Sequence, residues 1–401
     1  MQSLRTGYLT GAALGVLWSF TMAVTVAVGM SFATGDGFRP GIIGFILAGL
    51  ICGAGSVLVG RWGAVALGIA LYALLTFFGL PPVRAEAELL HVVLTALFGG
   101  AALGLGMAAI TGGLPSGALT RHEFEAAVIR FLTGFGYVFF TAIVVIPFYV
   151  MVMTSLKSQQ ALLQNPLDFS LDLSRGWGLF DSYRELLTKY NFGRYLMTSF
   201  FISVLTVLIT LAFSIPGAYA VARLRFRGRT MMSRSVLLIY MVPMIVLALP
   251  IYIGFSMAGL RNTLFGIVMI YPVTTIPVAL YMLQGYFRGL PAEVEEAGLM
   301  DGLSRLAVIW KITLPLSLPA LASVSLYVFM IAWNEFLLAF MLLDDPSKFT
   351  LTRGIASLNS SEIPRQHLMA GAVIATVPIM ALFLGLERFM TRGLTAGSVK
   401  G

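Results

Sequence analysis

Side chains able to do chemistry are few in this chain, and most of them are carboxylates. Glu293, Glu295, Glu296 and Asp301 fall within nine positions of a polar stretch, while Glu335 stands alone in a long apolar run. The single cysteine, Cys52, rules out a disulfide framework, and with only three scattered histidines a zinc site has no ligand set. His122-Glu123 has the opening of a metalloprotease helix motif, but no histidine follows four residues after His122. The five lysines, at 157, 189, 311, 348 and 400, follow no Gly-x4-Gly-Lys-Ser/Thr pattern, so nothing here cradles a nucleotide phosphate. An intramembrane enzyme would need a catalytic pair at membrane depth, two Asp or a Ser with a His, and no such pair can be picked out. The expectation is a chain with no catalytic residues, no metal and no cofactor of its own.

The elements that must carry these carboxylates are membrane helices. Of 401 residues, 58% are hydrophobic and 11% charged, with a mean hydropathy of +0.90, so water cannot be the solvent for most of the surface. Crossing about 30 Å of hydrocarbon takes about 20 residues. Apolar stretches of that order lie near 7–31, 40–59, 62–80, 89–111, 132–154, 197–221, 235–259, 263–285, 319–342 and 367–386, and Glu335 is the one formal charge among them. The first is too long for the apolar core of a cleavable signal and others succeed it, so it is read as a helix. The fold class predicted is all-α, with about ten transmembrane helices.

A net charge of +8 does not point to nucleic acid, because the basic residues are spread over short loops rather than gathered with aromatics. They set topology instead. With the N-terminus inside, the cytoplasmic segments hold 15 of the 26 Lys and Arg, including the dense run Arg223, Arg225, Arg227, Arg229 and Arg234. Both termini are therefore expected in the cytoplasm. The polar stretch from Gly112 to Val128 divides four spans from six, giving an N-terminal block over 1–125 and a core over 126–401. The first block is rich in Gly and Ala, as in residues 99–106, which favours close helix contacts in lipid. It shows no polar constellation, and no sequence repeat relates it to the core.

Between the eighth and ninth spans lies a cytoplasmic loop of about 33 residues, 286–318. Pro291 suits a helix start, Glu293, Glu295 and Glu296 favour its positive end, and Gly302 can close it in a left-handed conformation. A short helix along the membrane surface results. At helical spacing Val294, Ala297 and Gly298 share a small apolar face, with Glu293, Glu296 and Met300 beside it. A helix lying on lipid usually presents basic residues to anionic headgroups. An acidic one is better suited to a cytoplasmic protein whose backbone approaches the small residues and whose arginine meets a carboxylate.

Here the sequence resembles a known family. Glu296-Ala297-Gly298, three residues, Gly302, nine residues, then Ile312-Thr-Leu314-Pro315 is similar to the EAA loop of ABC-type import permeases, E-A-A-x3-G-x9-I-x-L-P. Gly298 stands where the family usually has Ala. The resemblance runs from about Phe131 to Gly401 and is narrower still to the maltose-type carbohydrate branch. Pro250–Ile253 with Gly259–Thr263 is similar to that branch's third core helix and following loop, and Ala332–Phe336 to its fifth helix. The ending resembles its C-terminal tail. The resemblance implies a six-helix type I importer core with an extra block in front, importing a di- or oligosaccharide or glycoside by alternating access. It implies as partners a second permease, a dimer of ATP-binding subunits that hold ATP and Mg, an extracytoplasmic solute-binding protein and the lipid bilayer. It places the assembly, a heterotetramer apart from the binding protein, in the bacterial cytoplasmic (inner) membrane.

By the same resemblance, contact with the ATPase falls to Glu293, Glu296, Ala297, Gly298, Asp301, Gly302, Ile312, Leu314 and Pro315. The tail residues Gly393, Leu394, Thr395, Ala396, Gly397 and Lys400 reach towards the ATPase interface. A carboxylate at membrane depth is costly enough to be functional by default. Glu335, with Trp333 and Asn334, could line the sugar pathway or could hold two helices together. The outer segment from Lys157 to Arg194, with Trp177, Tyr183 and Tyr190, could meet the binding protein or simply cap the bundle. The competing class is a secondary transporter for a small polar solute. Such proteins usually carry several midplane charges and paired broken repeats, against one Glu and no visible repeat here.

Overall fold

The computed structural model describes residues 6–165, 168–359 and 363–395, with side chains described to Leu386 except for Leu237, Ile239 and Tyr240. Two compact units divide the chain between Leu179 and Phe180.

The first unit runs α1 (Gly7–Thr34), β1 (Phe38–Pro40), α2 (Ile42–Gly55), α3 (Arg61–Phe77), β2 (Val83–Ala85), α4 (Leu89–Thr111), α5 (Arg121–Ser155) and α6 (Gln159–Gln164). The order helix, strand, helix thus occurs twice. The two short strands pair antiparallel about Arg39 and Arg84, the only sheet among the described residues. Each helix pair is closed by small residues. A Cβ on Gly15 would sit 2.2 Å from the Gly49 carbonyl oxygen, and one on Gly53 would sit 2.2 Å from that of Gly11. In the second pair a Cβ on Gly68 would lie 2.2 Å from the Gly100 oxygen, and one on Gly104 would lie 2.3 Å from that of Ala64. Lipid tails are as apolar as leucine, so backbone contact of this kind is what holds membrane helices together.

Helix α5 packs with this unit. Thr120 and Glu123 form a reciprocal capping box at its start, the Glu123 carboxylate accepting from the Thr120 N–H at 2.7 Å. The Arg130 guanidinium donates to the Gly112 carbonyl, Trp18 meets Phe131 edge-on at 6.4 Å, and the Tyr149 hydroxyl donates to the Phe32 carbonyl at 2.9 Å. The boundary expected at 125/126 lies within the first turns of α5, whereas the division by packing follows it. Beyond α5, buried Lys157 pairs with Asp168 at 2.7 Å. Partial burial alone would raise the Asp168 carboxyl, but bonds from Lys157 and Ser170 outweigh it and hold the group below its ordinary range.

The second unit contains α7 (Asp181–Lys189), α8 (Phe192–Arg223), α9 (Arg229–Tyr240), α10 (Met244–Met257), α11 (Leu264–Gly289), α12 (Ala292–Met300), α13 (Arg305–Val308), α14 (Leu314–Leu316), α15 (Leu318–Asn334), α16 (Leu337–Leu342), α17 (Leu351–Ser357) and α18 (Arg365–Thr395). Along α8, Ser199, Ser203, Thr206, Thr210 and Ser214 form a buried stripe of small polar side chains. Thr210 and Thr275 share a 2.6 Å hydrogen bond that ties α8 to α11, and Ser199 accepts from the Leu351 N–H at 2.7 Å. Phe192, Ile202, Tyr271, Phe329 and Trp333 make up the apolar core beside that stripe.

All ten expected spans fall on helices. Among the described residues six helices are long and apolar enough to cross a membrane, the helices over 305–316 and 318–334 meet at an 80° bend and make a seventh span only when taken together, and α2, α3 and α10 are shorter apolar helices. The stretch read as one span over 235–259 is two helices, α9 and α10, separated at residues 241–243, where Pro243 cannot continue a helical hydrogen-bond ladder. The outer segment is also not one piece. Trp177 is 89% exposed in the first unit, whereas Tyr183 and Tyr190 belong to the second, Tyr190 against His367 at 5.6 Å.

Cys52 lies fully buried on α2 between Gly49 and Gly53, which makes its thiol a reporter of the α1–α2 contact. Gly49→Val, which must push the backbones apart, is expected to raise the maleimide labelling rate of Cys52 at least tenfold, consistent with an overpacking cost of about 1–3 kcal/mol. Gly29→Ala, where a Cβ meets nothing within 4 Å, should leave the rate unchanged. Equal labelling of the two variants would contradict the packing account.

Candidate coupling site

The acidic loop folds as expected into a short helix, α12, and most of it is open to solvent. Ala292, Glu293, Val294, Glu296, Ala297, Met300, Asp301 and Gly302 are all exposed, Met300 at 87%. Pro291 sits at the N-cap rather than inside the first turn. At the other end the Leu303 N–H bonds the Gly298 carbonyl at 3.0 Å and the Gly302 N–H bonds that of Leu299 at 3.1 Å. Gly302 has φ +86°, so the helix closes in a Schellman motif that a left-handed glycine makes possible. The chain then turns back through α13 and a π-helical turn at Ile309–Thr313 towards α15.

Only two α12 residues are buried, Glu295 and Gly298, and they define its inner face. Gly298, expected on a face offered to another protein, instead abuts its own chain. A Cβ there would come within 2.5 Å of the Ile312 Cδ1, with Leu303 and Val308 close by. The glycine thus allows the return segment to close on α12 through Ile312, which is half-buried as is Leu314, while Pro315 is exposed.

Glu295 is the residue that the sequence reading did not single out. Its carboxylate accepts from the Tyr219 hydroxyl at 3.2 Å and from the Thr313 hydroxyl at 3.1 Å. The Arg223 Nε lies 3.4 Å away, with the two side chains 14% and 6% exposed. Arg223 also donates to the Leu290 carbonyl at 2.6 Å, just before α12 begins. One buried charge pair therefore joins the end of α8, the start of α12 and the return segment. Arg229, counted at first only for topology, caps α8 by donating to the Val221 and Ala222 carbonyls at 2.7 and 3.0 Å. The outer surface carries the remaining carboxylates with exposed Leu306 and Trp310, an apolar pair that spacing alone did not mark.

The three residues expected along a pathway have other partners. Trp333 is 2% exposed, donates its indole N–H to the Ala375 carbonyl at 3.0 Å and stacks on Phe329, so it is core that joins α15 to α18. Asn334 is exposed and donates to the Met330 carbonyl. Glu335 stands where the span breaks, its carboxylate accepting from the Leu338 and Ala339 N–H groups at 2.9 and 3.2 Å, while its own carbonyl accepts from the Thr352 hydroxyl at 2.6 Å. At membrane depth freed backbone groups must find partners within the protein, and a carboxylate at a helix start does this with favourable charge. The carboxylate thus caps α16, the helix that follows it in the chain. In the tail, Gly393, Leu394 and Thr395 end α18 as helix, while Ala396, Gly397 and Lys400 lie outside the described residues.

Removing one partner of a buried ion pair costs about 3–5 kcal/mol because the other charge is left uncompensated. Glu295→Ala is therefore expected to speed amide exchange across residues 292–300 at least tenfold, with the double variant Glu295→Gln, Arg223→Gln recovering part of the loss. Unchanged exchange in Glu295→Ala would show that the cluster does not hold α12.

Comparison with known proteins agrees with this geometry. Residues 213–395 match the family model described as binding-protein-dependent transport system inner membrane component. Among curated relatives, the inner membrane ABC transporter permease protein YcjP of Escherichia coli (strain K12) is 36% identical over 270 residues, 66% of this chain and 95% of that protein. The trehalose/maltose transport system permease protein MalG of Thermococcus litoralis is 34% identical, over 69% of this chain and 99% of that one. Among solved structures, a chain of a bacterial ABC transporter involved in the import of the acidic polysaccharide alginate superposes with a TM-score of 0.57 at 24% identity, covering 67% of this chain and 98% of its own. About a third of this chain lies outside the match to each of these two relatives and to the solved structure. The chain belongs to the binding-protein-dependent transport system inner membrane component family and is a multi-pass permease subunit of the ABC-transporter type, a transport component rather than a catalytic one.

Proposed function

We propose that this permease imports a sugar, a di- or oligosaccharide or glycoside, and that α12 is the element through which a separate ATP-hydrolysing subunit drives it. The observation that carries the reading is the split character of α12. Its outer face is open and acidic, while its inner face is fixed to α8 by a buried charge pair. A helix so held transmits a push instead of absorbing it. In this reading Glu296 pairs with a basic residue in a cleft of the ATPase subunit, and ATP with Mg stays in that partner. Glu293, Ala297 and Asp301 widen the contact, and the C-terminal tail adds to it. Closure of two such subunits rocks the core, residues 126–401, against a second permease, shifting the population between inward-open and outward-open packings. An extracytoplasmic binding protein delivers the solute, and both termini face the cytoplasm. The sugar assignment rests on relatives named for trehalose and maltose, arabinooligosaccharides and diacetylchitobiose.

Glu296 is exposed, and surface substitutions of this kind usually change stability by no more than about 0.5 kcal/mol. Glu296→Lys is therefore expected to leave the membrane level of the protein unchanged while lowering ATP-dependent disaccharide uptake in proteoliposomes of the complete complex at least tenfold. Normal uptake by that variant would contradict the docking role. Failure of the unmodified complex to take up any disaccharide, with uptake of a different solute class intact, would contradict the substrate alone.

A further inference from the structure

Helices α1 and α5 touch at two levels and separate between them. At the lower level Trp18 lies over Gly134, whose Cβ would be 3.2 Å from the indole ring, and against Phe131. At the upper level the Phe32 and Tyr149 rings stack at 5.6 Å with 3° between their planes. The intervening groove has a volume of about 570 Å³ and is walled by Val24, Val28 and Phe32 on one side and Val138, Val145 and Tyr149 on the other. Of its polar side chains, Thr25 donates its hydroxyl to the Thr21 carbonyl at 2.8 Å and Tyr149 to the Phe32 carbonyl. Both helices are long and apolar enough to cross a membrane, so the groove lies at membrane depth.

We infer that this groove is a binding site for one acyl chain of a bilayer phospholipid. An apolar space of this size cannot be filled by water, which needs polar partners, and it opens to a solvent that is itself hydrocarbon. From residue 137 to residue 149 a helix rises about 18 Å, close to the depth of one leaflet, about half of 30 Å. A membrane-crossing helix of a partner subunit needs the full thickness and about 10 Å of width. Here α1 and α5 meet above and below, so such a helix does not fit, whereas a flexible chain entering from the side does. The leaflet concerned is the one on the side where α1 leads into β1 and α5 leads into α6. The bound chain completes the packing of the N-terminal helices on α5, filling with lipid what the two helices leave open.

The test is native mass spectrometry of the full-length chain, transferred from nanodiscs of phosphatidylethanolamine and phosphatidylglycerol into mild detergent, with a diazirine-bearing phospholipid added for mapping. One phospholipid per chain should be retained, and its photo-adducts should fall within residues 24–33 and 137–149. Gly29→Phe, at a position where nothing lies within 4 Å, and independently Ala142→Phe should lower retention at least fivefold in monodisperse protein, with adducts at the lipid-exposed surface near Leu208 unchanged. Overturning results are no retained phospholipid, retention unaffected in either monodisperse variant, or groove adducts joined to another protein chain in the assembled complex.

Discussion

A carboxylate buried where the chain leaves the bilayer is the constraint on which the rest depends. Glu295 faces inward from a nine-residue helix too short to be stable alone, and its partners come from two other parts of the chain: Tyr219 and Arg223 at the end of α8, and Thr313 on the return segment. Taking such a pair out of water is costly, so its value lies less in net stability than in fixing one arrangement. That arrangement leaves Glu293, Glu296 and Asp301 facing out. The orientation of the functional face follows from the one carboxylate that is hidden.

The bundle that receives this helix is organised by polar groups rather than by hydrophobic burial, which gains little in a hydrocarbon solvent. The Ser and Thr stripe on α8 engages α11 and α17 through Thr210, Ser214 and Ser199, and Glu335 satisfies backbone groups freed by the break between α15 and α16. In the first unit the same end is reached largely by glycines that bring carbonyl oxygens against neighbouring backbone, with a few side-chain bonds such as Thr111 to Ser56 at 3.0 Å. These are two solutions to one problem, the cohesion of helices that lipid does not drive together.

Hydropathy alone was enough to place ten apolar stretches on helices, because a window of apolar residues reports the solvent directly, although it read the pair α9 and α10 as one span. The spacing from Glu296 to Pro315 located the coupling segment, since small residues and a left-handed glycine leave a local mark that Gly302 at φ +86° bears out. Which glutamate turns inward was not legible. Glu293, Glu295 and Glu296 lie within one turn, and their difference is set by Tyr219 and Arg223, more than 70 positions away. Gly298 was placed on the outer face for the same reason. Trp333 beside a lone Glu looked like a lining, but its indole partner is the Ala375 carbonyl on another helix, invisible to any local pattern. The packing of α5 with the first unit depends on contacts such as Trp18 to Phe131, and composition showed only the polar stretch before it.

The central claim is that the outward face of α12 is covered by an ATP-hydrolysing partner, and the most direct measurement is thiol protection at Met300→Cys in a Cys52→Ser background. A membrane-impermeant maleimide should label the isolated chain rapidly, as an 87% exposed side chain requires, and at least tenfold more slowly in the assembled complex. Labelling at the same rate in both would contradict the account.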